Sequence, residues 1–292
     1  FPSVKALAEA DQDQVLHLWT GLGYYARARN LHKAAQRVNN DLAGEFPNSV
    51  AALCELPGIG RSTAGAIRSI AFGLPATILD GNVKRVLARH QAVEGWPGQT
   101  PVHKKLWEIA DRYTPAARNG DYSQAMMDLG ATLCTRSSPL CSQCPVHVDC
   151  VALAKDETQA YPGKKPRKKL PVKSTVFLMI RAANGDILLE KRPSSGIWGS
   201  LWCFPEVNNV EEATTRCLDN WGIEPSSTNF WEPFRHTFSH YHLDIQPLQM
   251  ILPVNPETVM EADRQLWYNV DQPPRIGLAA PVATLLKKHT AR

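Results

Sequence analysis

Apolar residues recur three and four positions apart from Ser3 to about Arg136, with few β-branched runs, and this spacing predicts helices throughout the first half of the chain. Val15, Leu16, Leu18 and Trp19 follow the candidate cap Asp11, and Ala64, Ile67, Ile70 and Ala71 form a similar face further on. A Pro- and Lys-rich stretch, residues 156–171, then breaks the periodicity and reads as an exposed linker. Beyond it the texture changes. Ser174-Thr175-Val176-Phe177-Leu178-Met179-Ile180 and Ile187-Leu188-Leu189 flank Asn184-Gly185, a strand-turn-strand signal. His236 to Met250 alternates over part of its length, with Tyr241, Leu243 and Ile245 on one face, and Leu266-Trp267-Tyr268 predicts another strand. Two helices are expected here, at about 210–221 and 280–288. The reading is multidomain: an all-α domain, then an α/β one, with no internal repeat.

The 292 residues suffice for two domains, each with its own core. No apolar run reaches membrane-spanning length, and Phe1-Pro2-Ser3-Val4-Lys5 lacks the charged-then-apolar layout of a secretory signal. A cytosolic protein without a membrane partner is expected. The chain starts mid-pattern on phenylalanine, so its natural start is expected to lie upstream. A net charge of +4 is too mild to identify a nucleic-acid binder. Its distribution says more, because Lys164, Lys165, Arg167, Lys168, Lys169 and Lys173 follow one another with no acidic residue among them. Such a run serves either solubility or attraction to a phosphate backbone.

Two patterns carry chemistry. In Leu56-Pro57-Gly58-Ile59-Gly60-Arg61-Ser62-Thr63-Ala64 a glycine turn between helical stretches leaves backbone N–H groups unpaired and near the surface. It is either a phosphate cradle or a tight interhelical turn without a ligand. Asp80-Gly81-Asn82 follows sixteen positions later, just before another helical stretch whose N–H donors favour a charged carboxylate. The second pattern is Cys134-x6-Cys141-x2-Cys144-x5-Cys150, directly after a predicted helix from Gln124 to Leu133. Packed thiols and metal ligands are the choices in a cytosolic chain; zinc modules usually offer two close Cys pairs, and this spacing has one. Cys54, Cys203 and Cys217 read as buried apolar residues.

The hairpin sequence resembles the helix-hairpin-helix of DNA base-excision glycosylases, and the cysteine spacing resembles the [4Fe-4S] loop of the endonuclease III superfamily. With both patterns and the aspartate in the same order, residues 1–155 resemble that superfamily throughout, with 134–150 as the iron-sulfur loop. In bifunctional members a lysine stands at the position of Ser62, attacks the sugar and leads to strand cleavage; serine forms no such imine. Gly21-Leu22-Gly23-Tyr24-Tyr25-Ala26-Arg27-Ala28-Arg29-Asn30 and Ile78-Leu79-Asp80-Gly81-Asn82-Val83-Lys84-Arg85 are similar to the MutY-type adenine DNA glycosylases, and the similarity runs to the C-terminus.

That resemblance implies a monofunctional enzyme of base-excision repair that removes adenine mispaired with 8-oxoguanine or guanine. Its partner would be double-stranded DNA containing that mispair, its cofactor the [4Fe-4S] cluster on Cys134, Cys141, Cys144 and Cys150, and its oligomeric state a monomer beside the nucleoid. Asp80 would stabilise the cationic sugar, oriented by Asn82, while Gly58, Gly60, Arg61 and Ser62 meet the DNA backbone and Tyr24 fills the space left by the displaced base. Arg27, Arg29, Lys84 and Arg85 are further candidate phosphate contacts. The family's general-acid glutamate falls upstream of residue 1. The chain as given is therefore expected to be catalytically incomplete, and a non-catalytic lesion-binding fragment stays open beside the enzyme, as does a bifunctional endonuclease III-like lyase.

Residues 172–292 resemble a Nudix-type domain through Trp198-Gly199-Ser200-Leu201-Trp202-Cys203-Phe204-Pro205-Glu206. Pyrophosphate hydrolysis needs a glutamate-rich helix to hold magnesium, and Thr215-Arg216-Cys217-Leu218-Asp219-Asn220 does not supply one. The domain is expected to recognise 8-oxoguanine, whose N7 donates and whose C8 carbonyl accepts, through Phe238-Ser239-His240. A competing zinc site on His236, His240 and His242 would need all three on one strand face.

Overall fold

The computed structural model describes residues 1–166, 169–256 and 264–290. Arg167 and Lys168 of the basic run lie outside the described residues. Two short helices, α1 (Val4–Ala8) and α2 (Gln12–Leu18), open the chain and are followed by the 16-residue α3 (Ala26–Asp41). Asp11 caps α2 as the pattern predicts, accepting from the Asp13 N–H at 2.7 Å. Then follow α4 (Val50–Cys54), α5 (Arg61–Ala66), α6 (Gly81–His90), α7 (Thr100–Tyr113), α8 (Asn119–Asp128) and α9 (Val151–Ala154). Single π-helical turns at Ile67–Ala71 and Leu129–Leu133 extend α5 and α8, so each predicted helix is present with a widened last turn. No described helix is long and apolar enough to cross a membrane.

The chain forms two compact units. Residues 37–166 make the helical unit, and residues 1–36 belong with the described residues from 169 onward. The division differs from the boundaries read from sequence, because the first helices pack on the C-terminal sheet. Val15, Leu16 and Ala28 share a core with Phe177, Leu201 and Val282. Asp13 accepts from Lys191 Nζ at 3.0 Å and Trp202 Nε1 at 3.2 Å. Apolar periodicity identifies the buried face of a helix but not the surface that covers it.

In this second unit β1 (Val172–Arg181), β2 (Ile187–Lys191), β3 (Trp202–Cys203), β4 (Glu206–Val207), α10 (Glu211–Trp221), β5 (Ser227–Phe230), β6 (Phe234–Thr237), β7 (His242–Ile251), β8 (Gln265–Tyr268) and α11 (Ala280–Thr290) alternate strands with two helices. The sheet runs β3-β2-β1-β7-β5, with β4 on β1, β6 on β7 and β8 on β2. Only β1 and β7 pair in parallel among the described strands, Val172 opposite His242 through Arg181 opposite Ile251. Val176 to Ile180 are buried without alternation because both sheet faces are covered. Phe177 and Met179 face the core shared with α11, while Val176, Leu178 and Ile180 face Ala213 and Cys217 of α10.

The helical unit has its own core of Leu79, Val83, Leu87, Leu106, Trp107 and Ile109, which packs α6 on α7. Residues 156–165, expected to be free linker, are in part packed against this unit. Tyr161 is buried and the Gly163 N–H donates to Gly95 O at 3.0 Å. Cys203 and Cys217 are buried as expected, whereas Cys54 is exposed: it ends α4 and points outward while Leu53 takes the core position. Gly65 of α5 lies so close to the strand-like segment before Asp80 that a Cβ there would sit 2.1 Å from Thr77 O. Gly65→Ala is therefore expected to destabilise the helical unit by about 1–3 kcal/mol, measured by urea unfolding.

Candidate active site and cysteine loop

The turn between α4 and α5 is tight. The Ile59 N–H closes on Leu56 O at 3.1 Å and Gly58 takes φ +77°, a conformation that favours glycine. Gly60 caps α5 in an extended conformation, and no side chain caps the helix. Among the described residues nothing lies within 4 Å of where a Gly60 Cβ would point. Arg61 stacks 3.7 Å over the Trp107 ring and pairs with Asp111 at 3.4 Å.

Ser62 turns inward, and its Oγ accepts from the Leu79 N–H at 2.9 Å. This bond ties the hairpin helix to the residue before Asp80. Asp80 in turn caps α6, with Oδ1 accepting from the Val83 N–H at 2.7 Å, and is half-buried. Capping leaves further acceptor sites of the carboxylate open, because it has more of them than one N–H fills. Asn82 Oδ1 accepts from Arg85 Nη2 at 2.9 Å.

Arg85 and Arg89 lie one turn apart on α6 and both reach the cysteine loop. Arg85 donates to Cys134 O at 2.7 Å and to Gly130 O at 2.5 Å. Gly130 allows that contact, since a Cβ there would meet Asn82 Cβ at 2.5 Å. Arg89 is only 3% exposed. It donates to Thr135 O (2.7 Å), Arg136 O (3.0 Å), Thr158 O (2.9 Å) and Tyr161 O (3.0 Å), and reaches Cys134 Sγ at 3.3 Å. Arg85, expected at a phosphate, thus points into the protein. Arg89 was not legible as a site residue; the one signal is a guanidinium among the apolar positions Val86, Leu87 and Ala88 of an amphipathic helix.

Cys134, Cys141, Cys144 and Cys150 are free and line one apolar cavity with Val86, Leu133 and other residues. Burial pushes the Cys141 thiol up, and the nearby Cys134, Cys150 and Cys144 add to this. Among the described residues no three ligands converge on a single-ion position. A four-iron cluster takes one thiolate on each of four irons, so the all-thiolate set around a shared cavity fits it.

Tyr24 and Phe238-Ser239-His240 belong to the other unit. Tyr24 is 77% exposed with φ +47°. Tyr25 packs half-buried, with its OH accepting from the Gly21 N–H at 3.4 Å. Arg29 turns inward to Gly199 O at 2.8 Å, and Arg27 lies 5.5 Å from the Trp19 ring. Ser239 and His240 form the exposed tip between β6 and β7, closed by the Phe238 N–H on Tyr241 O at 2.9 Å. Phe238 is anchored at 5.1 Å from Trp198 and 4.6 Å from His236. The tip also separates the three histidines: His236 is on β6, His240 in the turn, and His242 on β7 bonded to Thr237 Oγ1 at 2.9 Å. They do not share one strand face.

On the C-terminal sheet Arg216 of α10 pairs with Glu190 at 2.5 Å and donates to Glu206 O at 3.1 Å, while Arg192 pairs with Glu206 at 3.0 Å. Both carboxylates are thus engaged by arginine side chains.

Residues 1–112 match the family described as HhH-GPD superfamily base excision DNA repair protein, and residues 175–288 match the NUDIX domain. The adenine DNA glycosylase of Buchnera aphidicola subsp. Acyrthosiphon pisum (strain APS) is 40% identical over 287 residues, covering 98% of this chain and 81% of that protein. The chain belongs to the adenine DNA glycosylase family. The human adenine DNA glycosylase is 35% identical, over 84% of this chain and 55% of the human protein. A solved thermostable thymine-DNA glycosylase is 28% identical with a TM-score of 0.47, over 53% of this chain and 71% of that one.

Within an adenine DNA glycosylase, the Ser62 contact fixes the segment that carries Asp80. Ser62→Ala strands the Leu79 N–H, and the expected loss is about 1–2 kcal/mol of stability, read from denaturant unfolding of the purified chain.

Proposed function

We propose that this adenine DNA glycosylase hydrolyses the N-glycosidic bond of adenine opposite 8-oxoguanine or guanine and leaves an abasic site without cutting the strand. The observation that carries the reading is the pair Ser62 and Asp80. The hairpin position that would need an amine holds a hydroxyl engaged with Leu79, and the carboxylate stands at the N-terminus of α6. A lyase needs an amine there to form an imine with the sugar; a hydrolase needs an anion beside the developing oxocarbenium.

Once its ring nitrogen takes a proton, adenine departs as a neutral base with the bonding electron pair, and positive charge is left on the sugar. Asp80, held by Val83 and by the dipole of α6, stabilises that charge and directs water to the sugar carbon. The hairpin N–H groups at Gly58 and Gly60 hold the backbone, Tyr24 fills the vacated stack, and the Phe238-Ser239-His240 tip reads the oxidised guanine, with Ser239 able both to donate and to accept. Cys134, Cys141, Cys144 and Cys150 would hold a [4Fe-4S] cluster through their thiolates and so tie together the loop that Arg85 and Arg89 grip.

Adenine release from a duplex with adenine opposite 8-oxoguanine is measured for the chain and for the chain extended upstream by the family's helix pair. The reading predicts release by the extended protein, strand breaks only after alkali, and a loss of about 100-fold or more in Asp80→Asn. The preparation should carry iron and sulfide. Nicking before alkali would return the lyase, and release undiminished in Asp80→Asn would remove the carboxylate from the reaction.

A further inference from the structure

Beside the hairpin, α5, the start of α6 and the first two turns of α7 enclose a groove of about 640 Å³. Arg61, Lys84, His103 and Lys104 line it, with Trp107 and Gly60, and none of its lining residues is acidic. We propose that this groove is a second anion site, which holds a DNA backbone phosphodiester next to the one at the hairpin turn. The proposal rests on the DNA-binding reading above and adds a contact that neither the hairpin pattern nor the aspartate supplies.

Three observations converge on it. The first is preorganisation. Trp107 is a common floor: Arg61 Cζ lies 3.7 Å over its ring, and His103 packs nearly perpendicular to it with ring centroids 6.3 Å apart. Both side chains are therefore positioned before any ligand arrives, which lowers the ordering cost of binding. The second is continuity, since Gly60 lines the same groove and presents bare backbone toward it. A polymer of phosphates entering at the hairpin meets Arg61 and then α7; a free phosphate would use only one of these.

The third observation is electrostatic. The charged groups facing His103 are Arg61 from α5, Lys84 from α6 and, on its own helix, Lys104; Asp111 lies beyond Trp107 and is committed to Arg61. Burial first, then Lys84 and Arg61, hold the imidazole below its ordinary range, so positive charge is already in surplus. A phosphodiester reverses that balance. The imidazole then takes up a proton as DNA binds, and affinity rises as pH falls through the window between the free and the bound values.

Duplex binding by the full chain, followed by fluorescence anisotropy over a salt series at several pH values between about 5.5 and 7.5, tests this. In Lys104→Ala the slope of log affinity against log salt should become shallower by about 0.9, equally on mispaired and fully paired duplexes, because backbone contacts carry no sequence information. The unsubstituted chain should take up protons on binding, seen by calorimetry in two buffers of different ionisation enthalpy, and His103→Gln should abolish that uptake. Both side chains are at the surface or half-buried, and unchanged thermal midpoints confirm intact folds. Wild-type salt slopes and proton uptake in both variants would overturn the groove while leaving the DNA reading standing. A loss confined to mispaired DNA would overturn it as a backbone site. No duplex binding by the unsubstituted chain at low salt would overturn both.

Discussion

The helical unit depends on what α6 holds at its two ends. At its N-terminus Asp80 bonds the Val83 N–H, and the residue before it is pinned by Ser62. Along its side Arg85 and Arg89 gather backbone carbonyls from the cysteine loop and from Thr158 and Tyr161. A carbonyl stripped of water costs free energy unless it is paired, and one buried guanidinium has five donors in a fixed fork. Arg89 thus converts an irregular loop, rich in unpaired carbonyls, into a packed layer on α6. The carboxylate and the cysteines are in this way attached to one rigid element.

The same constraint explains why Gly65 and Gly130 tolerate no added side chain. Gly65 brings α5 against Thr77, and Gly130 brings the loop's approach segment against Asn82. Both contacts set the height of the Leu79–Asp80 segment. Ser62 completes the arrangement: a short hydroxyl reaches the Leu79 N–H at 2.9 Å, and a longer amine would have to leave it unpaired or point elsewhere. One small side chain thus both pins the residue before the aspartate and leaves the hairpin position without an amine.

Much of this was legible in the sequence because it rests on local rules. Glycines in the turn, the Asp80 cap, the strand pair around Asn184-Gly185 and the placement of α10 and α11 follow from periodicity and backbone chemistry. What was not legible depends on tertiary partners. Arg85 and Arg29 look like surface cations, yet carbonyls distant in sequence turn them inward. Cys54 looks like a core thiol, but the phase of a five-residue helix gives Leu53 the core. Residues 156–165 have the composition of a free linker and are nonetheless partly packed, through Arg89 and Gly95. The first helices show an apolar face, and only the folded chain reveals that the C-terminal sheet covers it.

The central claim is that α6, its aspartate cap and the cysteine loop form one mechanical unit. Amide hydrogen exchange at Leu79, Val83 and Cys134 tests it most directly, comparing the chain with Arg89→Met, which keeps much of the side-chain bulk and removes the donors. The account predicts faster exchange at all three positions together in the variant, including those at the far end of α6 from the substitution. Acceleration at Cys134 alone, with Leu79 and Val83 protected as before, would contradict it.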